Sequence, residues 1–183
     1  ANEKGQLGNG TTTQSATPVE PVGLSGGVVA VAAGWEHTCA LTTAGGVKCW
    51  GFNNDGRLGT GTGEQSLVPV DVVGLSSGVT AISASRYNTC ALTSTGGVMC
   101  WGYNEHGELG NEPERVPVSA APVLVSGLDS GVRAISTGMG HSCALTTGGG
   151  VVCRGANFAG QLGDGTTNDA HAPVKVTPGL GPA

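Results

Sequence analysis

The run His37-Thr38-Cys39-Ala40-Leu41-Thr42 returns as Asn88-Thr89-Cys90-Ala91-Leu92-Thr93 and again as His141-Ser142-Cys143-Ala144-Leu145-Thr146. Successive first cysteines lie 51 and 53 residues apart. A second motif, Gly-x-Leu-Gly, occurs four times at the same interval, starting at Gly5, Gly56, Gly107 and Gly160. A chain that repeats at this period folds as an array of like units, each burying its apolar face against the next.

Each unit reads as short strands separated by turns. Residues 28–33, 38–41 and 47–50 are β-rich runs, and the intervening Gly-Gly or Thr-Gly pairs supply the positive φ of tight turns. Val-rich segments next to Pro69 and Pro173 complete the unit, giving about four strands per repeat. Helical arrays are excluded because 34 of 183 residues are glycine, and each would cost about 1 kcal/mol inside a helix. The glycines have no three-residue period, which excludes a collagen-like triple helix. The expected fold is therefore all-β: a radial β-propeller of blades of about 51 residues, with a β-solenoid as the alternative. The chain divides into a half repeat at 1–27 and repeats at 28–78, 79–131 and 132–183.

The pattern V-x-A-[IV]-[AS]-x-G-x-x-H-[TS]-x-A-L-T-x-x-G-x-V-x-x-W-G-x-N-x-x-G-x-L-G describes the three units ending at Gly59, Gly110 and Gly163, with Ser85 in the first Gly position, Asn88 in the His position and Arg154 in the Trp position. It resembles the repeat of the regulator of chromosome condensation family. The resemblance implies propeller blades, seven in a typical member, but not one activity, since the family includes an exchange factor, an ultraviolet-B photoreceptor and an inhibitor of β-lactamase. Seven such blades need about twice this length. The chain is thus expected to be part of a longer repeat protein or, alternatively, a half propeller, with edge strands left open to pairing.

Six cysteines form three pairs, Cys39/Cys49, Cys90/Cys100 and Cys143/Cys153, each ten apart across a turn. In a hairpin whose register sets Leu41 opposite Val47, Cys39 faces Cys49 at disulfide distance. Three disulfides are the expectation and would place the protein outside a reducing cytosol. Reduced, buried thiols are the alternative; zinc is disfavoured because the C-x₂₋₄-C spacing is missing.

Other candidate positions carry structural readings. His37 and His141 are repeat-equivalent with Asn88, which points to hydrogen bonding at a turn. His106 and His171 read as exposed loop residues, and Trp50 and Trp101 as packing elements between blades. The string from Asp164 to Asp169 hints at a calcium loop, but its counterparts begin with Asn9, Thr60 and Asn111. Trp35 lies in Gly-Trp-Glu-His-Thr, similar to the photoreceptor's Gly-Trp-Arg-His-Thr, yet it is a single copy with Glu36 in the Arg place. Asn9-Gly10-Thr11 is a glycosylation sequon.

No carboxylate pair, nucleophile motif or phosphate loop accompanies these residues, so no enzyme activity and no cofactor or metal is expected. The net charge of −5 and the lack of a basic run disfavour nucleic acid, and no apolar stretch is long enough to span a bilayer. The expected function is a secreted or surface-exposed propeller scaffold for protein–protein interaction. The alternatives are a self-assembling structural subunit and a regulator that binds an enzyme by one face. Specificity is expected in the least repetitive loops: residues 61–67 with Glu64 and Gln65, residues 111–119 with Glu112, Glu114 and Arg115, and residues 168–171 with Asn168, Asp169 and His171.

Overall fold

The computed structural model describes residues 1–111 and 116–177. Glu112, Glu114 and Arg115 lie outside the described residues. Among the described residues, twelve strands form three four-stranded antiparallel sheets, in the orders β1-β2-β3-β4, β5-β6-β7-β8 and β9-β10-β11-β12. The first sheet comprises β1 (Val28–Ala33), β2 (His37–Thr42), β3 (Val47–Gly51) and β4 (Ser66–Asp71). The second comprises β5 (Val79–Ala84), β6 (Asn88–Thr93), β7 (Val98–Tyr103) and β8 (Val118–Leu124); the third comprises β9 (Val132–Gly138), β10 (His141–Thr146), β11 (Val151–Gly155) and β12 (Ala170–Lys175). Sequential pairing within a sheet and stacking of successive sheets define propeller blades.

Residues 1–27 contain no strand. The reading of this half repeat as an open strand edge is corrected: the segment corresponding to β4 has no sheet partner and is held by turn bonds instead. Ser15 Oγ donates to the Thr17 carbonyl as Ser66 Oγ does to Val68, and Val22 N donates to the Gly8 carbonyl as Val73 N does to Gly59.

The cores lie between blades. Cys39, Leu41, Val47 and Cys49 of the first blade pack through Leu58, Val72 and Leu75 against Val79, Ala91 and Trp101 of the second. Cys90, Leu92, Val98 and Cys100 repeat this through Leu109, Val125 and Leu128 against Val132 and Ala144. Each hairpin is joined by a disulfide at the expected register, Cys39–Cys49, Cys90–Cys100 and Cys143–Cys153, each with its Cα atoms 4.1 Å apart. All six cysteines are oxidised.

Candidate binding face

Three backbone carbonyls organise the contacts between blades. The Gln6 carbonyl accepts from Trp50 Nε1 at 2.7 Å and from Thr38 Oγ1 at 2.9 Å. The Arg57 carbonyl accepts from Trp101 Nε1 at 2.9 Å and Thr89 Oγ1 at 3.1 Å. Two lone pairs allow both bonds. At the third junction Arg154 takes the place of the indole, and its Nε donates to the Glu108 carbonyl at 3.0 Å. One Nη donates to Cys100 Sγ at 2.8 Å. Burial lowers the Arg154 pKa to about 9, against which the Glu108 charge acts. The last glycine of the motif lies against these side chains: a Cβ on Gly59, at φ 70°, would stand 2.8 Å from Trp101 Nε1.

His37 extends one network across the junction. Its Nε2 lies 2.8 Å from Thr89 Oγ1, whose own proton goes to the Arg57 carbonyl, so His37 is the Nε2–H tautomer and donates. Burial first, then the Arg57 charge, lowers its pKa to about 3. The hydrogen bond expected of this histidine is present, and its partner lies in the next blade. For Asn88 the bonding is local, since its Oδ1 accepts from Ser85 Oγ.

The loops are built around asparagines that the sequence reading placed in the repeat without assigning a role. Asn53 Oδ1 accepts from Leu58 N, while its Nδ2 donates to the carbonyls of Thr62 and Glu64. Asn2, Asn104 and Asn157 make the same bond to Leu7, Leu109 and Leu162, and each ties down the loop that follows. The signal was their recurrence after each Trp-Gly or Arg-Gly pair. In the last loop Asp164 accepts from Thr166 and Asn157, which holds its carboxyl below the usual range through the Thr166 amide first. The acidic string is thus a turn cap.

Of the loop candidates, Glu64 is exposed and gives its carbonyl to Asn53. Asp169 accepts from Asn157 N at 2.7 Å and pairs with His106 Nδ1 at 2.8 Å. His106 is therefore an anchored residue and not a free loop side chain. His171 lies against the Gly107 turn, beside Asn104 and Glu105. Gln65 and Asn168 are exposed, and no contact joins the 61–67 and 168–171 loops into one cluster among the described residues.

What the repeats do bring together is a row of aromatic and cationic side chains. Lys4 lies over Phe52 (4.9 Å), Arg57 over Phe52 (5.0 Å) and Tyr87 (5.2 Å), and Arg86 over Tyr87 (4.8 Å) and Trp35 (4.3 Å). Arg57 is buried and pairs with Asp55, with Glu36 at 3.9 Å. Tyr87 and Tyr103 are 5.6 Å apart. Trp35, Met139 and Phe158 are 64%, 60% and 72% exposed. Such geometry suits recognition: rigid aromatic and Met surfaces with Arg beside them are the usual anchors of protein interfaces.

Fold and face together define an array of propeller blades, each with one disulfide-bridged hairpin. The profile of the regulator of chromosome condensation (RCC1) repeat matches residues 28–57, 79–108 and 132–161, and a second profile of the same repeat matches 1–41, 44–92 and 95–145; the chain belongs to this family. It is 29% identical to the ultraviolet-B receptor UVR8 of Arabidopsis thaliana over 94% of the chain and 39% of the receptor. It is 35% identical to the human probable E3 ubiquitin-protein ligase HERC3 over 96% of the chain and 17% of the ligase. It superimposes on yeast RCC1 (Prp20), solved with Kap60 bound, with a TM-score of 0.83 and 20% identity, covering 98% of the chain and 44% of that protein. The chain therefore spans less than half the length of each of these relatives.

Proposed function

We propose that this repeat array is a non-catalytic scaffold that binds protein partners outside the reducing cytosol. The aromatic and cationic row from Trp35 to Tyr87, with Trp35 exposed at its end, together with loops fixed on asparagine side chains, carries this reading. The three disulfides support an oxidising compartment. Relatives with protein-directed names, a ubiquitin ligase and the Kap60-bound RCC1, agree with a role in interaction. The division into a half repeat and three full repeats belongs to the same proposal. Regulation of an enzyme would be one form of such binding.

The test is cross-linking of the protein in its native extracellular or surface fraction, with wild type and a Trp35→Ala/Arg86→Ala variant compared. A stoichiometric protein partner, cross-linked near the row and lost at least tenfold in the variant, is expected. Equal capture by both chains, or none, overturns the proposal.

A further inference from the structure

The second and third junctions carry opposite charge at one motif position. At the second, the second residue of Gly-x-Leu-Gly is Arg57, whose guanidinium lies over Phe52 and Tyr87 and between the carboxylates of Asp55 and Glu36. The site carries its own cation. At the third, the equivalent residue is Glu108, and Gly140 stands where the second junction's next blade has Tyr87. The missing side chain leaves a cavity of about 160 Å³ lined by Tyr87, Tyr103, His106, Glu108, Met139 and Phe158.

Glu108 is 1% exposed. Its Oε2 accepts from His106 N at 3.0 Å, whereas Oε1 is buried without a hydrogen-bond partner. Glu108 makes no ion pair among the described residues; Arg154 feels its charge but lies beyond ion-pair distance. A buried, half-satisfied carboxylate costs free energy that a cation would recover.

We infer that this cavity takes the ammonium end of a lysine side chain projected from a protein partner, with Glu108 Oε1 as its acceptor and Tyr103 and Phe158 as its aromatic walls. A single unpartnered oxygen matches a point-like ammonium, whereas the bidentate geometry of a guanidinium would need a second donor at Oε2, which already accepts from His106 N. Aromatic walls beside a carboxylate favour a cation over a neutral apolar group. Both guanidiniums that contact Tyr87 are already placed there, which leaves the other two rings for an incoming group. Burial raises the Glu108 carboxyl above its ordinary value and Asp169 adds to the rise, while the two backbone amides and His106 oppose it; an ammonium removes this penalty.

The inference rests on the partner-binding reading, and its test separates the two. The probe is Nα-acetyl-lysine methylamide, titrated into the whole chain and followed by amide NMR shifts, with the arginine and norleucine analogues as controls. Glu108→Gln is the central variant. Gln6 and Gln161 occupy the same motif position and make the same turn bond, to Lys4 N and Ala159 N, so the variant keeps the turn and loses only the charge. Phe158→Ala, at an exposed site, is the second variant. Saturable shifts at Tyr103, Gly140 and Phe158 with the lysine probe, at least fivefold weaker for both analogues and for both variants, are expected. No saturation, equal binding of norleucine, or undiminished binding to Glu108→Gln overturns the inference, and partner capture that survives such a result leaves the scaffold reading standing. Binding of the lysine probe without any captured partner overturns the scaffold reading instead.

Discussion

His37 is uncharged in the fold and free to titrate in the unfolded chain, which makes it a pH-dependent element of stability. Its folded pKa, about 3, lies below the ordinary histidine value. Between the two the unfolded chain holds the extra proton, so the stabilisation is present above about pH 6.5 and is lost as pH falls toward the folded value. Unfolding free energies from urea titrations at about pH 7 and about pH 4 are expected to differ by up to roughly 3 kcal/mol more in wild type than in His37→Asn, the residue used at position 88. Equal pH slopes would remove His37 from the account. Arg154 is the opposite case, a charge held in an apolar junction. Arg154→Trp restores the indole used at Trp50 and Trp101, keeps the donor to the Glu108 carbonyl, and is expected to raise stability by about 1 kcal/mol or more; Arg154→Ala lowers it by about 3 kcal/mol. Thermal melts of both variants check the order. At this scale the sequence showed that Trp50, Trp101 and Arg154 share one position, but not their bond, because the acceptor is a backbone carbonyl and any residue can supply one. The partner of His37 was hidden for a related reason: Thr89 is 52 residues away.

At the level of the element, hairpin and disulfide agree. Turn glycines fix the loop length, the loop fixes the register, and the register sets each cysteine opposite its partner, which is why all three bridges were readable from spacing alone. Thiol titration of the denatured, unreduced chain is expected to find no free thiol. Replacing Cys90 and Cys100 together by serine costs about 3 kcal/mol, the chain-entropy value for a loop of this length; a loss below about 1 kcal/mol would show that the closed loop contributes little. Strand pairing was less legible where it depends on a neighbour: the counterpart of β4 in the first 27 residues has the same Pro-Val chemistry as β4 itself, yet forms no strand, since an edge needs a partner to become a ladder.

Across the whole molecule, the repeat made the architecture legible and left recognition obscure. Propeller blades follow from period and turns, whereas the Glu108 cavity arises from a difference between two junctions, Gly140 against Tyr87, that no single motif announces. Charge gives a further expectation at this scale. With a net charge of −5 and Arg57 already paired to Asp55, duplex DNA at about 150 mM salt is expected to show no salt-sensitive binding; tight binding by fluorescence anisotropy would contradict it.

The carbonyls of Gln6, Arg57 and Glu108 accept a bond from the neighbouring blade whichever side chain stands there. The side chains differ in what they add: Gln6 and Glu108 close their own turn, while Arg57 reaches the Arg86 carbonyl of the next blade. A position joined through its backbone thus accommodates neutral, cationic and anionic occupants in one chain. Each junction can therefore change its chemical preference by one codon while the carbonyl bond to the neighbouring blade is kept, and diversity of partners across such a lineage would then come from single exchanges at a handful of sites as well as from lengthening loops.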